Sequence, residues 1–418
     1  MDTTIKQGKA IEKFSLMKNR NYLFLLLSAS FSAPGYYVYL LGCEWLMLSL
    51  SDNRFYFGML FFAAAVPRLL FLTTGGLLAD RMNKRTILFI SDFSRALLIG
   101  LLLLFLWTDT VTSIHLIVLA ALFGISDAFS YPALNSMVPM LLPAEHLQRG
   151  NSIIQMTGQI SPILGPALGG SLIAFIGFTG VFTTALVMLF ISAVTVLLIR
   201  LQEEKEVMEK TPAFVELKEG FSYARKNKLV VSVMVMAFFL NFFFSGPLSI
   251  GLPVIVKDVF HGTAGSLATV EVSMGIGALI GGAILATVTL KKPGKAMIAG
   301  LIALGVFFMV AGFAGNLWHL AALVALMALV TQIVNIPLMT MLQQTTPKKM
   351  LGRMMSFLMT VSTGLVPVSY ATTAFLLATG ISMQTIIIIS GVVVTLLAVY
   401  QLKNKRLVGF TFEGERRG

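Results

Sequence analysis

Four ionisable side chains stand in stretches that are otherwise apolar: Glu44, Arg68, Asp127 and Glu271. A charge is costly to hold in such surroundings, so each is a functional candidate by default. Three carboxyls and one guanidinium can exchange protons and pair charges. A carboxyl takes up a proton more readily as its surroundings become drier, and less readily as a cation approaches. Asp127 lies deepest in its run, between Ser126 and Ala128, and is the expected principal proton carrier. Glu44 and Glu271 are the other candidates. Arg68 can serve as counter-ion to either Glu44 or Asp127, and the sequence leaves that choice open. Asp92 and Arg95, three residues apart, read as a local structural pair.

The residues of other chemistries do not assemble. No Walker-type loop is present, so ATP is not expected as the direct energy source. His115, His146, His261 and His319 lack metal-ligand spacing. No Ser/His/Asp arrangement is evident along the chain. We therefore expect no catalytic residue, no metal and no cofactor.

Aromatic and amide side chains supply the walls of a binding pocket. Tyr36, Tyr37 and Tyr39 cluster in one apolar run, Phe239, Asn241 and Phe243 in another, and Gln332 and Asn335 in a third. Pockets for apolar ligands combine broad hydrophobic walls with a few polar groups. Most aromatics in such runs serve packing or lipid contact, so these eight residues are the candidate substrate contacts among many.

The elements that position these residues follow from composition. Of 418 residues, 56% are hydrophobic and only 12% charged. A soluble domain carries roughly 25% charged residues. Apolar runs near span length recur at 21–50, 56–79, 86–107, 114–141, 151–175 and 179–201, then at 229–255, 267–290, 296–315, 317–341, 354–378 and 383–402. Each is long enough to cross a bilayer. In lipid every backbone group must be satisfied within the segment, so the runs should be helices.

The net charge of +12 is not a nucleic-acid footprint. Most Lys and Arg fall in alternate connections and the two termini, whereas the other connections hold little beyond Arg54 and Lys257. That bias places both termini in the cytoplasm. The single cysteine, Cys43, rules out a disulfide framework, and the basic N-terminus shows no cleavage-site pattern. The one long polar interruption, 202–228, reads as a cytoplasmic linker with an amphipathic helix. It divides the chain into a six-span half at 1–201 and another at 229–418. The halves echo each other: Pro143, Leu147, Arg149 and Ser152 match Pro347, Leu351, Arg353 and Ser356 at a constant offset.

Two motifs carry a family resemblance. The first, from Gly75-Gly76 through Asp80-Arg81 to Lys84-Arg85, resembles the signature loop of the major facilitator superfamily, with Asn83 where that loop often has Gly. The second, Gly165-Pro166-Ala-Leu-Gly169-Gly170, is similar to the antiporter motif of the superfamily's exporters. Ser161, Gly165 and Gly169 recur every four residues and form a stripe along which another helix can approach. Ser273, Gly277 and Gly281 form a second such stripe. Pro67-Arg68, Asp92-Phe-Ser-Arg95, Ser130-Tyr-Pro132 and Gly352-Arg353 extend the likeness to the macrolide-efflux-like branch of drug:proton antiporters. Ala120 departs from the Arg motif of other drug exporters.

This resemblance implies a twelve-helix membrane protein made of two pseudo-symmetric six-helix bundles, an all-α fold. It implies a multi-pass protein of the bacterial cytoplasmic membrane that exports hydrophobic or cationic small molecules, such as macrolides, against protons. Siderophore export and lysophospholipid movement are the alternatives. The partners expected are the substrate, protons and the bilayer, with a monomeric chain and no nucleic acid. It further implies that Gly76, Asp80, Arg81, Arg85 and Arg353 serve a cytoplasmic gate. Gly165, Pro166, Gly169 and Gly170 would serve the sliding contact of span five against the stripe of span eight. A membrane-embedded enzyme, the rival of a different class, would need a catalytic cluster at one membrane face, and none is seen.

Overall fold

The apolar runs become helices whose starts are set by polar side chains. Asn19 caps α1 (Arg20–Leu50) by accepting from the Tyr22 amide. Asn83 does the same for α3 (Lys84–Trp107), which gives a physical reason for Asn where the signature loop often carries Gly. Thr112 caps α4 (Ser113–Leu141), Asn316 caps α10 (Leu317–Thr345) and Ser382 caps α12 (Met383–Gln401). Thr263 and Ser266 form a reciprocal capping box at α8 (Ala264–Thr287). Each cap satisfies amides that the helix itself leaves unpaired.

The computed structural model describes residues 16–200, 228–288, 292–347 and 362–410, with isolated positions between them; side chains of 72–81 are outside the description. The linker helix expected within 202–228 therefore lies outside the described residues. Among the described residues, ten helices are long and apolar enough to cross a membrane, and a shorter apolar helix, α11, covers Ser362–Ala378. One of the ten, Leu147–Leu197, is two spans. Gly177 interrupts it at φ 76°, a left-handed conformation that costs glycine little. The break yields α5 (147–176) and α6 (178–197), so twelve spanning segments result. The remaining helices are α2 (Arg54–Arg81), α7 (228–259) and α9 (Pro293–Ala311).

Helix α7 is interrupted by π-turns at Asn241–Ser245 and Ile255–Val259. A π-turn releases backbone groups from the α-helical ladder. At the first one, Ser369 of α11 answers: its hydroxyl donates to the Phe242 carbonyl at 2.5 Å and accepts from the Gly246 amide at 2.8 Å. The same turn adds a residue to the helix and turns the face of everything after it.

The helices α1–α6 and α7–α12 form two bundles with equivalent pairings. In the first bundle α4 approaches α2 where Gly124 meets the Ala64 carbonyl; in the second, α8 approaches α10 where Gly277 meets that of Ala325. Small residues make both approaches possible. The bundles meet along two seams. Gly58 of α2 abuts Ala374 of α11, and Gly170 of α5 abuts Ala264 and Ala268 of α8.

This packing corrects one expectation. The Gly165 and Gly169 stripe does not face span eight. Gly165 abuts Tyr37, and Gly169 abuts Val38 and Leu41, all on α1 of the same bundle. The partner stripe also stays within its own half: Ser273 donates to the Ala321 carbonyl at 2.9 Å, and Gly281 meets Leu329. Helix α5 has two neighbours, and its most regular glycine face goes to the nearer one. Only Gly170 of the motif, with Ile163 against Gly275, reaches α8.

Candidate functional site

Between the two bundles lies a cavity of about 780 Å³. That volume suits a drug-sized ligand. Helix α1 contributes Tyr36, Tyr37, Tyr39 and Glu44; α2 contributes Phe61 and Arg68; α4 contributes Phe123 and Asp127. The second bundle contributes Leu248 and Ser249 from α7, Glu271 from α8 and Tyr370 from α11. All four ionisable candidates thus share one cavity, with the three tyrosines of α1. Pro166 also lines it.

The aromatic wall is organised by contact. Tyr39 stacks on Phe123 with ring centres 4.3 Å apart, Tyr36 meets the same ring, and Phe61 meets Tyr370 across the seam between bundles. The five other expected contacts lie elsewhere. Phe239 borders a small crevice between α7, α9 and α12 and stacks on Phe243. Asn241 donates to the Ala237 carbonyl one turn back. Gln332 packs beside Gly281, and Asn335 is exposed. Helix α7 instead lines the cavity beyond the π-turn, with Leu248, Ser249, Leu252 and Pro253.

The charged groups sort into two clusters. In the first, Asp127 is held by two guanidiniums: Arg68 Nε at 3.0 Å and an Arg95 terminal nitrogen at 2.5 Å. Arg95 also reaches Asp92 at 3.3 Å, and Asp92 accepts from Ser32 and Ser192. Two aspartates and two arginines balance to zero. Asp92 and Arg95 are a structural pair, as expected, but the pair extends through Asp127 into the cavity. Arg95 also lies over the Phe123 ring at 5.4 Å. The choice of counter-ion for Arg68 is now fixed as Asp127.

The second cluster is Glu44 of α1 and Glu271 of α8, two carboxyls from opposite bundles that line the same cavity as neighbours. Glu44 is 4% exposed, and its Oε2 meets no conventional donor. No ion pair to either glutamate occurs among the described residues. Two carboxyls can share a hydrogen bond only when one of them carries a proton.

One end of the cavity is closed by contacts that sequence reasoning missed. Arg54, at the start of α2, grips Asp258 of α7 with two hydrogen bonds of 2.7 and 2.5 Å. The neighbouring Lys257 donates to the Leu48 carbonyl at the end of α1. The available signal was that Arg54 and Lys257 stand nearly alone as cations in their set of connections. Of the expected gate residues, Arg85 is half-buried at the start of α3. Gly76, Asp80, Arg81 and Arg353 lie outside the described residues and side chains.

Comparison with known proteins agrees with this architecture. Residues 23–363 match the family model of the Major Facilitator Superfamily. An uncharacterized MFS-type transporter of Bacillus subtilis, YfiS, is 29% identical over 54% of each chain. Macrolide efflux protein A of Enterococcus faecalis is 27% identical over 53% of this chain and 68% of its own. The Staphyloferrin A transporter of Staphylococcus aureus is 25% identical over 64% and 69%. The match to the first of these spans about half of that relative's length. Among solved structures, nucleoside transporter NupG superposes with a TM-score of 0.74 at 12% identity, over 92% of this chain and 99% of that one. A bacterial homologue of the iron transporter ferroportin, in an inward-facing state, gives 0.70 at 12% identity, over 93% and 99%. These structures share the fold. The twelve helices in two bundles and the family match together make this chain a member of the Major Facilitator Superfamily, similar over about half its length to the macrolide efflux proteins.

Proposed function

We propose that the protein is a proton-driven exporter of amphipathic organic molecules, and that the Glu44–Glu271 pair carries the proton. One observation carries this reading: two neighbouring carboxyls from opposite bundles line the cavity, Glu44 buried, with no ion pair to either among the described residues. When the shared proton leaves, two like charges stand in contact. At about 4 Å and an effective dielectric of about 20, that repulsion is on the order of 4 kcal/mol. It acts across the seam between α1 and α8, so proton loss drives the bundles apart at the cavity. A cationic group on a substrate answers the same charge. Proton and substrate therefore compete for one site, which is the requirement for exchange. This assignment moves the principal carrier from Asp127, the sequence expectation, to the glutamate pair, because Asp127 is already fastened by Arg68 and Arg95.

With the basic connections in the cytoplasm, the Arg54–Asp258 end faces outward, and the structure is closed to the outside. Macrolide-like molecules fit the aromatic walls, and the macrolide efflux relatives support that substrate class. A siderophore substrate is the second reading, supported by the Staphyloferrin A transporter relative. The test is transport in proteoliposomes under an imposed pH gradient, with a panel of cationic drugs, macrolides and siderophores. Uphill movement that collapses with the gradient is expected. Transport indifferent to the gradient overturns proton coupling.

A further inference from the structure

The Arg68 side chain is 52% exposed, whereas that of Arg95, bound to the same aspartate, is 3% exposed. The closest approach of Arg68 to Asp127 is through its Nε, 3.0 Å from Oδ2, and its terminal nitrogens donate no hydrogen bond to a described residue. The side chain lines the cavity, so those nitrogens face the volume that a substrate occupies. A half-exposed guanidinium repels a purely cationic ligand. Its planar fork matches a carboxylate, which it binds through paired N–H donors. Glu44 and Glu271 line the same cavity, as do Tyr37 and Tyr370 between the arginine and the glutamates.

Resting on the transport reading, we propose that the substrates are amphoteric: an oxyanion, a carboxylate above all, docks on Arg68, while a cationic group meets the Glu44–Glu271 pair. The aromatic wall of Tyr36, Phe61 and Phe123 covers the apolar body between them. The cavity then selects on the separation of two opposite charges, which a pocket for simple lipophilic cations does not do. Arg68 is placed here as a substrate contact in addition to counter-ion of Asp127.

A matched pair of probes tests this. Ciprofloxacin carries a carboxylate and a piperazinium, and its ethyl ester keeps the cation but lacks the carboxylate. Binding of each to the purified full-length protein is measured by equilibrium dialysis, and efflux of each from proteoliposomes is followed alongside. The acid should bind about tenfold more tightly than the ester, as expected for a charge-assisted hydrogen bond. R68Q should remove that preference, the acid losing affinity relative to the ester. R68K, which keeps the charge but loses the fork, should retain part of the preference. Equal binding of acid and ester by the wild type overturns the proposal, as does binding of neither, or an unchanged preference in an R68Q protein that elutes as a monodisperse peak. Gradient-driven export of ester and acid at equal rates would leave proton-coupled transport standing while removing Arg68 as the anion dock.

Discussion

Glu44 of α1, buried, and Glu271 of α8 face the same cavity from opposite bundles. Under the proposed function, loss of the proton that two neighbouring carboxyls share sets like charges against each other across two helices of different bundles. Neutral replacements separate this role from mere packing. Glu271→Gln leaves one amide and one carboxyl that hydrogen-bond without a titrating partner. Uphill, gradient-driven export should fall at least tenfold, while exchange of substrate down its own gradient persists. Glu44→Gln should behave alike. Wild-type accumulation by both variants would remove the pair from coupling.

Raising the pH acts on the same pair. Proton loss places two carboxylates in contact, so the bundles should part at the cavity as pH rises and re-form the contact as it falls. Distances between spin labels on α1 and α8 would report this, with a longer population growing at alkaline pH. In the Glu44→Gln, Glu271→Gln double variant that pH response should vanish. Persistence of the response would assign it to another group.

Asp127 has a different expected phenotype. Asp127→Asn leaves the 3% exposed Arg95 facing only Asp92 and leaves Arg68 without its partner. Removing one member of a buried ion pair costs about 3 kcal/mol. A fall in melting temperature is the expected result. Pairing it with Arg68→Gln restores the charge balance, so the double variant should melt above Asp127→Asn alone. A double variant that melts lower than either single one would refute the balance argument.

What the sequence made legible was chiefly what depends on composition. Apolar length gave twelve spans, and residue type picked out Glu44, Arg68, Asp127 and Glu271, all of which line one cavity. Pairing was not legible, because it depends on which faces meet. The stripe of Gly165 and Gly169 has the right spacing for a close approach, yet spacing says nothing about which helix approaches, and the partner is α1. The α7 residues Phe239, Asn241 and Phe243 were picked by residue type, and type does not say which part of the helix meets the cavity; that part is Leu248 to Pro253. Tyr370 was missed because a tyrosine inside an apolar run has no signal until its span is placed beside α2.

The corrected packing separates two glycines of one motif. Gly165→Leu would drive a side chain into the Tyr37 backbone within the first bundle. It should lower stability or expression. Gly170→Leu instead meets Ala268 and Ala264 across the seam. Overpacking costs about 1–3 kcal/mol, here borne by the state in which the bundles touch at that point. Gly170→Leu should therefore fold and shift the population toward the state open at the Arg54–Asp258 end by about tenfold or more. Label distances across α5 and α8 would measure it. Equal stability loss at both positions would contradict the distinction.

The last prediction concerns that end itself. Arg54 and Asp258 join the bundles through a bidentate pair whose side chains are 15% and 35% exposed. A pair so accessible contributes about 1 kcal/mol at most. It is enough to bias a conformational equilibrium severalfold, and salt should weaken it. Cys43, the chain's one cysteine, lines the cavity and is buried, so its reaction with a membrane-impermeant thiol reagent reports opening. Applied from the α1–α2 side, the reagent should modify wild-type protein slowly and Asp258→Asn protein about threefold faster. Molar salt should raise the wild-type rate and leave the Asp258→Asn rate unchanged. The charge swap Arg54→Asp with Asp258→Arg rebuilds the pair and should return the rate toward wild type. If Asp258→Asn and wild type react equally at low salt, Lys257 on the Leu48 carbonyl and the Gly58–Ala374 contact close this end without help from the ion pair.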